Sequence, residues 1–70
     1  MDKYKLEYFI KNKNMDKKTL CGILNMSVSA FYRKCNGITE FTRDEIVKIA
    51  EILELSGEDI LSIFFAEKVS

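Results

Sequence analysis

The sequence predicts an all-α domain of five helices, and three observations carry this prediction. Apolar residues recur at spacings of three and four along the chain, which is the period of an amphipathic helix. No alternating run rich in Val and Thr, the pattern of a half-buried strand, is present. With 70 residues, 47% hydrophobic and 31% charged, the chain is expected to form one globular domain over residues 1–70.

The first two helices are predicted over about residues 2–13 and 16–24. Asp16 is the expected N-cap of the second helix, because its carboxylate can accept hydrogen bonds from the unpaired N–H groups of the first turn. Tyr4 and Tyr8 lie one turn apart on the first helix and are expected to be partly buried, although a stacking platform for single strands is an alternative. The apolar residues at helical spacing are Leu6, Phe9 and Ile10 in the first helix and Leu20, Ile23 and Leu24 in the second.

A tight turn is predicted between the second helix and a third helix at about residues 28–35. Asn25 is placed where the chain must turn, and Asn accepts a left-handed backbone conformation more readily than other residues that carry a Cβ. Met26 is expected to fill the turn from the inside. Ser27 is the predicted N-cap of the third helix, and Gly37 is the predicted C-terminal cap.

The fourth and fifth helices each begin with a capping signal. Thr42 and Glu45 have the spacing of a capping box, and the stretch 56–59 gives a similar start to a helix that is expected to reach about Ala66. The expected buried residues of the fourth helix are Ile46, Ile49, Ala50 and Leu53.

The fifth helix carries two apolar stripes. Ile60, Ile63 and Phe64 form one stripe, and Leu61 and Phe65 form another beside it. A domain of this size cannot easily bury both, so we expect a homodimer whose interface contains Leu61 and Phe65. An unusually wide core face with a frayed C terminus is the alternative.

The composition disfavours catalysis, cofactor binding and metal binding. The chain has no His, and Cys21 and Cys35 are its two thiols, which excludes histidine general bases and four-cysteine zinc sites. We expect both thiols to be reduced and buried in the core. No apolar run of 18 residues, signal peptide or lipidation motif is found, so a cytoplasmic protein without membrane contact is expected.

Positive and negative charges lie in different halves of the sequence, although the net charge is zero. Residues 1–37 contain eight lysines and arginines against three acidic residues, a net charge of +5. Residues 38–70 contain three basic against eight acidic residues, a net charge of −5. The first half is therefore suited to a polyanion, and the second half should face away from it.

Residues 17–36, KKTLCGILNMSVSAFYRKCN, resemble the helix-turn-helix of the phage repressor family, the Cro/CI-type or XRE-like transcriptional regulators. Cys21 stands where that motif needs a small residue, Asn25 where it needs a left-handed one, and Phe31 where it needs an apolar anchor. The similarity continues through 37–42 and 45–53. It implies a lambda-repressor-like fold with a helix-turn-helix at about residues 16–36.

The resemblance also implies sequence-specific binding to double-stranded DNA by a homodimer on a pseudo-palindromic operator. Lys17 stands where the family often has Gln, and a point charge lacks the directional hydrogen bonding of an amide. The residues expected to read bases are Val28, Ser29, Tyr32 and Arg33. The residues expected to contact phosphates are Lys17, Lys18, Lys34, Asn36 and Thr39.

Two functions therefore stay open at the level of the sequence. The first is a Cro-like or minimal repressor, since 70 residues leave no room for the self-cleaving domain of longer repressors. The second is a protein interaction module, such as an antirepressor or adaptor, that uses the acidic half and the fifth helix. Salt-dependent binding to random duplex DNA would separate the two.

Overall fold

Five helices joined by short turns make up the part of the chain that the computed structural model describes, residues 1–66. No strand occurs among those residues, which confirms the predicted all-α fold. The fifth helix ends at Phe64, so its predicted extension to Ala66 was two residues too long. The helices are α1 (Lys3–Asn12), α2 (Lys17–Ile23), α3 (Val28–Cys35), α4 (Arg43–Leu53) and α5 (Gly57–Phe64).

Every one of these helices begins at a polar side chain that accepts a backbone hydrogen bond three residues later. Thr42 with Glu45 and Ser56 with Asp59 form reciprocal capping boxes, so the two predicted capped starts are confirmed. Each cap satisfies an N–H group that the helix itself leaves unpaired, and such a cap typically contributes about 1 kcal/mol. The five N-caps are Asp2, Asp16, Ser27, Thr42 and Ser56.

Left-handed residues form the turns around α2 and α3. Asn25 has φ of 55°, as predicted, and turns the chain between these two helices. Gly37 follows α3 with φ of 78°, a conformation that glycine adopts without a steric penalty. Asn14 and Glu54 also have positive φ values and end the turns after α1 and α4. The path of the chain is therefore fixed at the ends of its short helices.

The core lies where the apolar faces of the five helices meet. Half-buried side chains, including Phe9, Met26, Phe41 and Phe64, pack against its buried centre. Phe41 makes edge-to-face contacts with Phe31 and Phe64, with ring centroids 5.7 and 5.5 Å apart, and so ties α3 to α5. The buried centre consists of Leu6, Ile10, Leu20, Cys21, Leu24, Phe31, Ile49, Leu53 and Ile63.

The burial expected at several positions was wrong. Ile46 and Ala50 on α4 are half-buried and not fully buried, because Ile49 and Leu53 form the buried face of that helix. Ile23 is 53% exposed, because Leu20, Cys21 and Leu24 form the buried face of α2 and Ile23 lies about 100° from the centre of that face. Tyr4 and Tyr8 are 72% and 60% exposed, because Leu6 and Ile10 bury the opposite face of α1. Ile23, Tyr4 and Tyr8 therefore add apolar surface to the outside of the domain.

Candidate functional site

An exposed strip on α3 contains the four side chains that were predicted to read bases. Val28 and Ser29 lie in the first turn of the helix, and Tyr32 and Arg33 lie one turn further on. All four are exposed, whereas Phe31 between them is buried and anchors the opposite side of the helix. The structure therefore presents them together, at the spacing at which residues share one helical face.

The start of α3 is fixed by local hydrogen bonds. The Oγ of Ser27 accepts a hydrogen bond of 3.0 Å from the backbone N–H of Ala30. The backbone N–H of Met26 donates to the carbonyl of Cys21 at 2.9 Å, which closes the turn from α2. Val28 and Ser29 thus lie at the positive end of the helix dipole, a setting that favours an approaching anion.

Lys17 connects three helices beside this strip. Its Nζ donates to Oε1 of Glu7 on α1 at 2.6 Å and lies 5.3 Å from the ring centroid of Tyr32 on α3. The hydrogen bond from Lys17 holds the pKa of Glu7 below its usual range, and Glu7 in turn raises the pKa of Lys17. Both groups are therefore charged at neutral pH, and the ammonium is held next to an aromatic face.

The C-terminal end of α3 carries a second polar cluster. The Nδ2 of Asn36 donates to the carbonyl of Tyr32 at 3.0 Å, and its Oδ1 accepts from Nζ of Lys3 at 2.7 Å. Lys18 and Thr39, also predicted to contact phosphates, are exposed. Lys3 was missed by sequence reasoning, because 33 residues separate it from Asn36 and no local pattern signals the contact.

Lys34 differs from the other predicted phosphate-contacting residues, because only 15% of its side chain is exposed. Its Nζ donates to Oε1 of Glu45 at 2.9 Å and to the carbonyl of Glu40 at 3.3 Å, and it lies 5.9 Å from the ring centroid of Phe41. The same Oε1 accepts from the backbone N–H of Thr42. Lys34 therefore ties α3 to the start of α4.

We expect the Glu45→Gln variant to be less stable by roughly 1 kcal/mol at neutral pH, because a neutral amide pairs less strongly with the ammonium of Lys34. Burial alone would raise the pKa of Glu45, but the bonds from Lys34 and from the backbone of Thr42 outweigh it and lower the pKa. This contribution is present above the unfolded pKa and is lost as the pH falls through the lower folded pKa. Urea melts from pH 3 to 7 should show the difference between the two proteins narrowing towards acid, and a constant difference would contradict the assignment.

A groove of about 220 Å³ lies between α1 and α3, and Glu7, Lys17 and Tyr32 are among the side chains that line it. Phe31 and Cys35 contribute its less polar part. Cys35 was predicted to be buried in the core, and this was wrong. It is half-buried, because it packs at the edge of the core next to this groove. Burial raises its pKa to about 11 although Lys17 opposes the shift, and burial also raises the pKa of Cys21.

Both thiols should therefore react slowly with an aromatic disulfide reagent in the folded protein at neutral pH. For Cys35, a pKa raised from 9.0 to about 11 lowers the thiolate fraction about a hundredfold, and Cys21 is in addition shielded by the core. Stopped-flow absorbance in buffer and in urea measures the two states. Native Cys35 reacting as fast as the unfolded chain would contradict this prediction.

The apolar side chains of α5 and of Phe65, which directly follows the helix, lie in the two predicted stripes. Ile63 is buried and Ile60 and Phe64 are half-buried, whereas Leu61 and Phe65 are 62% and 61% exposed.

Across residues 1–66, no cluster of His, Cys, Asp and Glu is arranged to hold a metal ion. None of the helices described in that range has the length and apolar character needed to cross a lipid bilayer.

Comparison with known proteins identifies a family. The family model described as the Cro/C1-type HTH DNA-binding domain matches residues 5–65, which include all five helices except the first two residues of α1. No curated protein and no solved structure matches the chain significantly. The matched segment contains the exposed strip on α3, Lys17 and the exposed residues of α5.

Proposed function

Because the chain belongs to the Cro/C1-type helix-turn-helix DNA-binding domain family, we propose that this DNA-binding regulator is a phage or prophage repressor that recognises a specific operator. The observation that carries the proposal is the exposed strip of α3 next to Lys17. An α-helix fits the major groove of B-DNA, where each base pair presents a distinct pattern of donors and acceptors.

Each side chain of the strip has a suitable chemistry for reading bases. Arg33 carries a planar fork that can bond to O6 and N7 of guanine, and this pairing gives about 1 to 3 kcal/mol of discrimination. Val28 can contact the methyl group of thymine, and Ser29 can bond to several base edges. Tyr32 lies beside Lys17 and is assigned a base or sugar contact at the edge of the groove.

Phosphate contacts are proposed on both sides of this helix. Lys17 and Lys18 lie at the first turn of α2, where their ammonium groups can contact phosphates. Asn36 and Thr39 lie at and beyond the end of α3. Lys34 is held inside by Glu45, so we assign it a role in fixing α3 and in the overall positive potential.

Two copies are proposed to bind one pseudo-palindromic operator in the bacterial cytoplasm. Leu61 and Phe65 expose a strip that a second α5 could cover about a two-fold axis, and operator symmetry mirrors such an axis. Occupancy of the operator would then block RNA polymerase. A protein interaction module, such as an antirepressor or adaptor, is the second candidate, and the exposed side chains of Leu61 and Phe65 support it.

Selection of bound sequences from a random duplex library tests the proposal. A palindromic motif whose half-sites lie about one helical turn apart is expected. A single unpaired half-site would support DNA reading but contradict the dimer. If no sequence is enriched and random duplex DNA shows no salt-dependent binding, the interaction module is favoured.

A further inference from the structure

Glu7 places a negative charge inside the basic surface that is proposed to meet DNA. Its Oε1 accepts the 2.6 Å hydrogen bond from Lys17, and it lines the same groove as Lys3, Tyr32 and Asn36. About a third of each side chain of the Glu7–Lys17 pair is exposed. The pair therefore lies at the surface, where an arriving phosphate would find the ammonium already occupied by a carboxylate.

A carboxylate and a phosphate bind an ammonium through the same charge-assisted hydrogen bond. We propose that Glu7 occupies the place of a DNA phosphate on Lys17 and thereby lowers the affinity of the protein for DNA of every sequence. This inference rests on the proposed function and on the assignment of Lys17 to a phosphate contact. It makes Glu7 a residue that sets affinity without touching a base.

The geometry explains why the carboxylate and the phosphate compete. The ammonium of Lys17 has the carboxylate on one side and the ring of Tyr32 at 5.3 Å, which restricts where it can move. A phosphate that bonds to this ammonium either displaces Glu7 or remains a few ångströms from it. The first outcome breaks an ion pair and the second places two like charges together, so both weaken binding.

The Glu7→Gln variant tests this, because the amide keeps the size and a hydrogen-bond acceptor but removes the charge. Affinity for a duplex of mixed sequence should rise about three- to tenfold per bound chain at about 50 mM salt. The slope of log affinity against log salt should change by much less than the roughly 0.9 of one phosphate contact, because Lys17 contacts its phosphate in both proteins and only the competing carboxylate is removed. A selected operator should gain by the same factor, because phosphate contacts carry no sequence information.

Two comparisons separate this effect from a change in net charge. Glu54→Gln removes a charge from another exposed ion pair, the one with Lys13, which has no assigned DNA contact. We expect it to change DNA affinity by less than about twofold, because Lys13 is assigned no phosphate contact and its ammonium therefore gains no partner on DNA. The second comparison introduces Glu7→Gln into the Lys17→Ala protein, where the gain should be smaller than in the unmodified protein, because only the repulsion between the carboxylate and DNA is removed and no ammonium is freed. Circular dichroism and thermal melts check that each variant is folded.

The results distinguish this inference from the proposed function. Suppose that the unmodified protein binds DNA and that Lys17→Ala weakens this binding. If folded Glu7→Gln then binds DNA with unchanged or lower affinity, the inference is overturned and the proposed function still stands. A gain that persists in full without Lys17, or an equal gain from Glu54→Gln, also overturns it. If neither the unmodified protein nor Glu7→Gln binds duplex DNA at about 50 mM salt, both the proposed function and this inference fail.

Discussion

Replacing Leu61 and Phe65 together with Ser is expected to turn the proposed dimer into a folded monomer. Both side chains are more than 60% exposed in the single chain, so their removal should leave folding nearly unchanged. In a symmetric interface four side chains leave water, and at roughly 1.5 kcal/mol each their replacement raises the dissociation constant at least a thousandfold. Sedimentation equilibrium across the micromolar range measures this change.

Ile23→Ser is a suitable control for this experiment, because Ile23 is a comparably exposed apolar residue on α2. Its replacement should leave the dimer intact. A monomeric state of the unmodified protein at high micromolar concentration would remove the argument for an interface on α5. Dissociation of the dimer by Ile23→Ser, but not by the Leu61 and Phe65 replacement, would place the interface elsewhere.

The monomeric variant should also separate the two parts of operator binding. Each chain can still bind its half-site, but the second chain is no longer held at the high effective concentration that a dimer provides. Affinity for a full operator should therefore fall by a hundredfold or more, whereas affinity for an isolated half-site should change little. Fluorescence anisotropy with the two duplexes measures both values.

Local features of this fold could be predicted because their signals lie within a few residues of each other. The capping box from Thr42 to Glu45 and the left-handed turn at Asn25 depend on side chains and backbone within one turn. The limits of α3 followed from Ser27 at one end and Gly37 at the other. The four residues predicted to read bases lie exposed on α3, and their role in reading bases stays a prediction.

Contacts between distant segments could not be predicted, because they depend on how the helices pack. Lys17 with Glu7 and Lys34 with Glu45 join residues ten and eleven positions apart on different helices. A sequence pattern showed these lysines as a basic cluster, whereas the structure gives each a carboxylate partner. The exposure of Ile23 is a different case, because Leu20, Cys21 and Leu24 form the buried face of α2 and Ile23 lies outside that face.

Arg33→Ala and Lys17→Ala are expected to have large and different effects on DNA recognition. Arg33→Ala should weaken a selected operator by roughly 1 to 3 kcal/mol per half-site and random duplex much less, because a base contact forms only in the correct register. Lys17→Ala should weaken both kinds of DNA alike and reduce the salt slope by about 1 for each phosphate that the protein no longer neutralises. Anisotropy titrations at several salt concentrations measure all four affinities. Lys48→Ala, which removes an exposed lysine from α4, is the control.

The Lys17→Ala result needs one further comparison, because this change also leaves the carboxylate of Glu7 without its ammonium. The Glu7→Gln/Lys17→Ala double variant removes one charge of each sign and so keeps the net charge of the protein unchanged. We expect it to bind DNA more tightly than Lys17→Ala, because the unpaired carboxylate no longer repels the phosphates, but less tightly than the unmodified protein, because the phosphate contact of Lys17 is missing. If Arg33→Ala and the double variant reduce operator and random binding by equal factors, α3 does not read bases and the basic half is a general polyanion surface. A larger effect on the operator for Arg33→Ala alone assigns specificity to α3 and affinity to Lys17.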